Sequence, residues 1–237
     1  DAALLDGIAN PFLETQSIRV GDALDLEGPL VLFSNELFDA QPFHSVIFKN
    51  GSWRERGIEI NSQGIRFSES ELTSPAIAVA VGTLPKVAPE GYTVDLPIQA
   101  TDLLNEICRE PWHGAFIAFD YGKTWKALSY DANQGTARAY RNHQQTPNLL
   151  DAIGEQDLTV NICWDWLEAS LQQNHFQSIE LESQESFILK RAPNFVREAF
   201  AAGTGFSSQA KNQLRQLIHP SLMGQTFQAL SGIRTID

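Results

Sequence analysis

An unbroken apolar run followed at once by clustered polar groups most constrains how this chain can fold. Leu30–Phe33 has no polar residue between its ends, a pattern that predicts a buried strand rather than a half-exposed one. Ser34, Asn35, Glu36 and Asp39 follow directly. Ligands bind outside the carboxyl ends of strands in open α/β sheets, so we expect a site here.

Carboxylates next to a dry core need a structural partner or a role in ligand binding or catalysis, because burying an unpaired charge is costly. We predict a helical turn over Asn35–Ala40, which would place Glu36 and Asp39, three residues apart, on the same side. A structural interpretation stays open, in which Asn35 and Asp39 cap or close a turn.

Composition narrows the classes of protein that fit. The 237 residues carry a formal charge of −12 and show no basic stripe, so we expect no nucleic-acid partner. The apolar runs are too short for a membrane span, and Cys108 and Cys163 have no metal or redox spacing, which favours buried thiols in a reducing compartment. The chain has no initiator Met and opens within a helical pattern over Asp1–Ile8, which suggests a fragment.

The first half of the chain is predicted to be rich in strands. A short strand is expected at Ser17–Val20, and Asn50–Gly51 between two strand-like runs predicts a β-hairpin. Further strands are predicted at Gly64–Phe67 and Ile77–Val81, which defines an inserted strand-rich section over about 43–98.

The second half is predicted to alternate helices and strands, which indicates an α/β fold. Thr101 is available to cap a helix over Ala100–Arg109, and a long polar loop is expected over 129–155. The other predicted elements are strands at Ala115–Phe119, Phe176–Leu181 and Thr226–Ile233, and helices at Trp166–Gln173, Glu185–Lys190, Asn194–Ala201 and Gln209–Ile218.

Three alternative chemistries are not supported by the motifs. Gly122-Lys123-Thr124 follows a strand, but a phosphate loop also needs glycine at the position of Ile117. The histidines have no metal-ligand spacing, so no metal site is predicted. No Gly-x-Ser-x-Gly elbow is present to indicate a hydrolase.

Several segments together resemble one known family. The run from Ser34 to His44 is similar to the "NE-x-x-D-A-x-P-x-H" segment of MidA-like S-adenosylmethionine-dependent methyltransferases, which include the mitochondrial complex I assembly methyltransferase. Further similar segments follow in the family's order: Phe119–Gly122, Gly135–His143, Gly154–Thr159, Gln184–Leu189 and Met223-Gly224-x-x-Phe227.

The resemblance implies a Rossmann-like class I methyltransferase sheet, S-adenosylmethionine as cofactor and protein arginine as acceptor. The family's Gly-rich loop after its first strand has no counterpart here. Residues 1–237 therefore resemble the C-terminal two-thirds of one methyltransferase domain, with the N-terminal part missing.

Roles can be assigned from the chemistry and the resemblance together. Carboxylates fix a guanidinium through bidentate hydrogen bonds, so Glu36 and then Asp39 are the candidate acceptor contacts and catalytic residues. Asn35 is expected to bond the backbone or the cofactor's amino group, and Asp22 to meet the adenine amine, as the general fold implies. Substrate-side candidates are Asp120, Tyr121 and His143.

Structural interpretations stay open for some of these residues. Asp120 at a strand end fits turn capping as well as site lining, and a lone loop histidine such as His143 is more often structural. Asp157 with Thr159 is expected to form a local side-chain-to-backbone turn rather than a catalytic pair.

Two functional classes follow. One is a methyltransferase acting on a protein side chain, by family analogy on a respiratory-complex subunit. The other is a non-catalytic binding or assembly module that retains the fold. A cytoplasmic location is expected for a bacterial protein and the mitochondrial matrix for a eukaryotic one, and self-association as a homodimer is left open.

Overall fold

The computed structural model describes residues 23–142, 144–201 and 206–236, with the backbone alone at 206–210. The predicted elements at Asp1–Ile8 and Ser17–Val20, and the candidates Asp22 and His143, lie outside these ranges. The strands are β1 Gly28–Asn35, β2 His44–Lys49, β3 Ser52–Asn61, β4 Gly64–Ser70, β5 Thr93–Leu96, β6 Trp112–Asp120, β7 Gly122–Lys123, β8 Arg138–Arg141, β9 Gln144–Thr146, β10 Asp157–Thr159, β11 Ile162–Cys163, β12 Gln177–Ser183 and β13 Gln228–Arg234. The helices are α1 Pro75–Gly82, α2 Ile98–Arg109, α3 Trp125–Asp131, α4 Trp164–Gln173, α5 Gln184–Arg191, α6 Pro193–Ala201 and α7 Phe206–Ile218, with a further helical turn at Pro220–Gly224.

The larger sheet has the strand order β1-β6-β13-β12. β1 runs parallel to β6, while β13 is antiparallel to both β6 and β12. The strand predicted at Leu30–Phe33 is therefore confirmed, and its carboxyl end lies beside that of a parallel neighbour. This arrangement produces the sheet edge at which the polar residues after Phe33 collect.

The prediction that this first strand is buried on both faces is wrong. Leu30 and Leu32 pack against the main core, but the alternate side chains Val31 and Phe33 are 70% and 62% exposed. Successive strand residues point to opposite faces, and in the described residues only one face of β1 is covered. An unbroken apolar run does not show by itself which neighbours cover each face.

The main core lies between the larger sheet and two helices. Phe116 of β6 and Leu230 of β13 are fully buried against Leu104 of α2 and against Leu167 and Leu171 of α4. α2 begins at Ile98, two residues before the predicted start, and Thr101 donates its hydroxyl to the Pro97 carbonyl instead of capping the helix. The apolar residues on one side of each helix account for this packing.

The predicted strand-rich insertion forms a second sheet with the antiparallel order β4-β3-β2-β5. The predicted hairpin turn is confirmed, since Asn50 and Gly51 have φ values of 51° and 78° as a tight primed turn requires. The strand predicted at Ile77–Val81 is wrong: this segment belongs to α1. Ser74 accepts a hydrogen bond from the Ile77 N–H and Pro75 occupies the first turn, so local capping outweighs β-branched composition.

The long loop predicted over 129–155 is also corrected, because it contains the end of α3 and the hairpin of β8 and β9. The strands predicted near the C-terminus are confirmed as β12 and β13, and the predicted helices as α4 to α7, with shifts at their ends. Both cysteines are free and buried. Among the described helices, none has the length and apolar character needed to cross a membrane.

Candidate functional site

The chain leaves β1 through a strained residue. Glu36 has a φ of 50°, in the left-handed region, and its N–H donates to the Phe119 carbonyl at 3.0 Å. The segment from Glu36 to Ala40 forms bends and a turn, so the predicted helical turn over Asn35–Ala40 is wrong. The left-handed residue turns the chain out of the sheet, which exposes the Glu36 side chain and returns Phe38 to the core.

Asp120, at the end of β6, holds this turn in place. One of its carboxylate oxygens accepts the N–H groups of Phe38 at 3.1 Å and Asp39 at 3.2 Å, and the other accepts the Tyr121 N–H at 2.9 Å. The residue is fully buried. Burial raises the pKa of Asp120 to about 7, and the neighbouring Asp39 charge adds to the rise.

Asp39 pairs with Tyr121 across the end of the sheet. The Tyr121 hydroxyl donates to Asp39 Oδ2, whereas Oδ1 is buried without a hydrogen-bond partner among the described residues. Burial raises the pKa of Asp39, the bond from Tyr121 opposes that rise, and the Glu36 charge adds to it. Burial together with Asp39 also raises the pKa of Tyr121, so its hydroxyl stays protonated and remains the donor.

These side chains line an open cleft with a volume of about 1110 Å³. Its wall is built from the segments that follow β1 and β6, from β7 and α3, from β8 and β10, and from the segment before β13. The lining residues that carry charge are the acids Glu36, Asp39, Asp131 and Asp157 and the bases Lys123 and Arg138. Lys123 pairs with Asp131 at 2.6 Å, so the wall carries more negative than positive charge and favours a cationic ligand.

The position of Tyr121 depends on close packing on both sides. Its ring meets the edge of Phe227 with centroids 5.4 Å apart. The next residue, Gly122, pairs with Ile162 of β11, and a Cβ there would lie 2.4 Å from the Ile162 carbonyl oxygen and 2.8 Å from Trp164 Nε1. Glycine is therefore required for the close approach that orients Tyr121 toward Asp39.

Comparison with known proteins places this chain in a family. Residues 13–181 match the family described as "Putative S-adenosyl-L-methionine-dependent methyltransferase". The chain belongs to this family. A search of curated proteins finds no match.

Two solved structures share the fold of this methyltransferase-family chain. One is an uncharacterized superfamily protein from Burkholderia thailandensis, 24% identical, with a TM-score of 0.80 over 91% of this chain and 58% of that one. The other is a superfamily member from the same organism bound to S-adenosyl-homocysteine, also 24% identical, with a TM-score of 0.78 over 91% of this chain and 56% of that one. The chain thus spans little more than half the length of these structures.

Three of the site residues predicted from sequence come together in the cleft of this family member: Glu36, Asp39 and Tyr121. Asn35 is not among the lining residues, but its amide nitrogen donates to Glu36 Oε1 at 3.2 Å. Asp120 lies beneath the cleft and is not part of its lining, so in this structure it supports the turn by accepting backbone hydrogen bonds.

Other lining residues were not predicted as site residues. Arg138 and Tyr140 of β8 lie on a segment similar to the family, and Met223 and Phe227 lie on the C-terminal one, so those segments were the available signal. Asp157 and Thr159 form strand β10 and line the cleft, whereas a local turn was predicted there. Among the described residues, no group of three or more His, Cys, Asp or Glu side chains could hold a metal ion.

Proposed function

We propose that this chain forms the acceptor side of an S-adenosylmethionine-dependent methyltransferase that modifies an arginine side chain of a protein. The observation that carries the proposal is the placement of Glu36. Its backbone is held in the left-handed region, at a cost of about 1–2 kcal/mol, and its exposed carboxylate stands in a cleft beside Asp39. Such strain persists where surrounding structure enforces it, and it concentrates at functional sites.

The two carboxylates suit a guanidinium. Arginine stays charged at physiological pH and presents a planar fork of donors that a carboxylate accepts in bidentate fashion. Glu36 is exposed to an entering side chain, while Asp39 lines the same cleft with one carboxylate oxygen, Oδ1, lacking a partner. Together they would orient the guanidinium and offset its charge, which is the positioning that a displacement reaction requires.

The polar groups at the end of β1 also fit a cofactor that carries positive charge. When bound, S-adenosylmethionine supplies the methyl group that is transferred. On this chain Asn35 would bond the cofactor's amino group. The proposal places this site on a Rossmann-like sheet, of which β1, β6, β13 and β12 would form one half.

The acceptor protein is proposed by analogy with MidA-like enzymes to be a respiratory-complex subunit. The surplus of carboxylates in the cleft supports a cationic acceptor but does not select among proteins that present arginine.

The proposal is tested by calorimetry and a transfer assay on the complete protein. We expect S-adenosylmethionine to bind, and Glu36→Gln to abolish methyl transfer to an arginine peptide while cofactor affinity changes by less than about threefold. Glu106→Gln changes an exposed carboxylate on α2 outside the cleft lining, and it serves as the matched control.

Three results would contradict the proposal. Absence of cofactor binding at about 1 mM would leave the non-catalytic binding module as the better description. Full turnover in Glu36→Gln would remove Glu36 from the acceptor site. A lysine peptide methylated as fast as the arginine peptide would overturn the assignment of the acceptor.

A further inference from the structure

The β3–β4 hairpin exposes a contiguous apolar patch. Ile58 stands opposite Phe67 and Ile60 opposite Ile65, so the four side chains occupy one face of the two strands. Their exposed fractions are 55%, 37%, 76% and 42% respectively. Two adjacent cross-strand apolar pairs left in solvent are unusual for a sheet face and mark an interaction surface.

The other face of the same sheet packs against α1 and forms a second hydrophobic core, separate from the main core. Val46 of β2 packs there against Ile77 and Ala80 of α1, and β3 contributes Trp53 to this side. Because side chains alternate along a strand, Ile58 and Ile60 project away from that core. The patch is therefore the outward face of the hairpin, and within the described part of the chain it remains open to solvent.

Charged residues continue this outward face toward the base of the hairpin, with a different sign on each strand. β3 carries Arg54 and Arg56, and the facing positions on β4 and just after it carry Glu69 and Glu71. Arg56 stands opposite Glu69 in the register, and Arg54 bonds Glu71 at 2.7 Å. The face thus has an apolar tip, a positive edge and a negative edge.

We propose that this outward face binds the same face of a second copy of the chain, with the twofold axis running along the hairpin. Rotation about that axis places β3 of one copy over β4 of its partner. It also places the hairpin tip of one copy over the hairpin tip of the other. The apolar pairs then meet apolar pairs, and the arginines of one copy meet the glutamates of the other. An isologous contact requires such a self-complementary surface.

The charge pattern selects a second copy over other occupants. The whole chain carries −12, so a basic partner would be drawn to its acidic surfaces in general. The outward face instead carries Arg54 and Arg56 on β3 beside Glu69 and Glu71, and Lys49 of β2 bonds Glu69 at 2.6 Å. The positive side of the face therefore matches the negative side of its rotated mate. Sheets that pack face to face bury their inner side chains between them, which removes the apolar tip from water.

Association is measured by sedimentation velocity and light scattering over a range of protein concentration. We expect a reversible dimer, and we expect I58S/I60S to raise its dissociation constant about tenfold or more. V79S/V87S alters two valines that are equally exposed, at 73% and 79%, but lie off this face, and should leave the constant unchanged. A monomeric chain at about 100 µM, or a dimer insensitive to I58S/I60S, would overturn the proposal.

Charge reversal tests the geometry of the contact. R54E/R56E makes both edges negative and E69R/E71R makes both positive, so each variant should fail to self-associate. An equimolar mixture should form a heterodimer, since every edge then faces its opposite. Circular dichroism is used to check that each variant is folded, and Arg66→Glu on the opposite face of β4 is the control. A mixture that associates no better than its components would show that this contact does not form.

Discussion

Replacing Asp120 by asparagine should destabilise the folded protein at acidic pH and should stabilise it, relative to wild type, at alkaline pH. The carboxyl group is fully buried at the end of β6, and its pKa is raised from an ordinary 3.8 to about 7. Between these values the folded protein binds a proton that the unfolded chain has released. Asp120 therefore lowers the free energy of unfolding as pH rises from about 4 to about 7, and its contribution is constant above that range.

The size of the effect follows from the shift. A pKa difference of about 3 corresponds to about 4 kcal/mol, of which about 3 kcal/mol develops between pH 5 and pH 8. The asparagine side chain does not ionise, so the variant does not lose this free energy of unfolding as the pH rises. Its single amide oxygen cannot replace both carboxylate oxygens, so one of the bonds from Phe38, Asp39 or Tyr121 is lost, at a cost of about 1–3 kcal/mol. The variant should be the less stable protein at pH 5 and should gain about 3 kcal/mol relative to wild type by pH 8.

Urea denaturation at pH 5, 6, 7 and 8 measures this difference. Asp157→Asn removes a negative charge from the exposed rim of the same cleft and controls for net charge. A stability difference between Asp120→Asn and wild type that stays constant across these pH values would refute the assignment of Asp120 as a buried group that protonates near neutrality.

Two further substitutions test the packing and hydrogen bonding of the site. Gly122→Ala should lower the free energy of unfolding by about 2–3 kcal/mol, since its Cβ would overlap the Ile162 carbonyl oxygen. Gly82→Ala, which meets nothing within 4 Å, should be neutral or slightly stabilising in thermal unfolding, and equal losses in the two variants would contradict this reasoning. Tyr121→Phe should lower the free energy of unfolding by about 1–3 kcal/mol, because it leaves the Asp39 carboxylate without its hydroxyl donor. Since the pKa of Asp39 is raised, its carboxyl is protonated at about pH 3.5, and the loss should be smaller there than at pH 8. The same loss at both pH values in urea denaturation would show that the hydroxyl does not serve Asp39.

Predictions from the sequence succeeded where neighbouring residues decide the conformation. The Asn50–Gly51 hairpin formed because few residue types tolerate positive φ at both turn positions. The sequence predictions failed where two local signals competed. At Ile77 the β-branched composition suggested a strand, but the Ser74 cap produced a helix. Glu36 and Asp39 were identified as paired carboxylates, but the backbone that places them in one cleft is a strained bend rather than a helical turn.

The sequence by itself determined that a strand includes Leu30–Phe33 and that carboxylates follow it, because apolar runs and polar clusters are local properties of the chain. Only the tertiary structure decided what those carboxylates contact. Tyr121 reaches Asp39 across 82 positions, and this contact depends on the parallel register of β1 with β6. The same register places Asp120 beneath the turn, where burial changes its chemistry. Register and burial are set by all the strands and helices that pack together, which is why neither could be obtained from one segment.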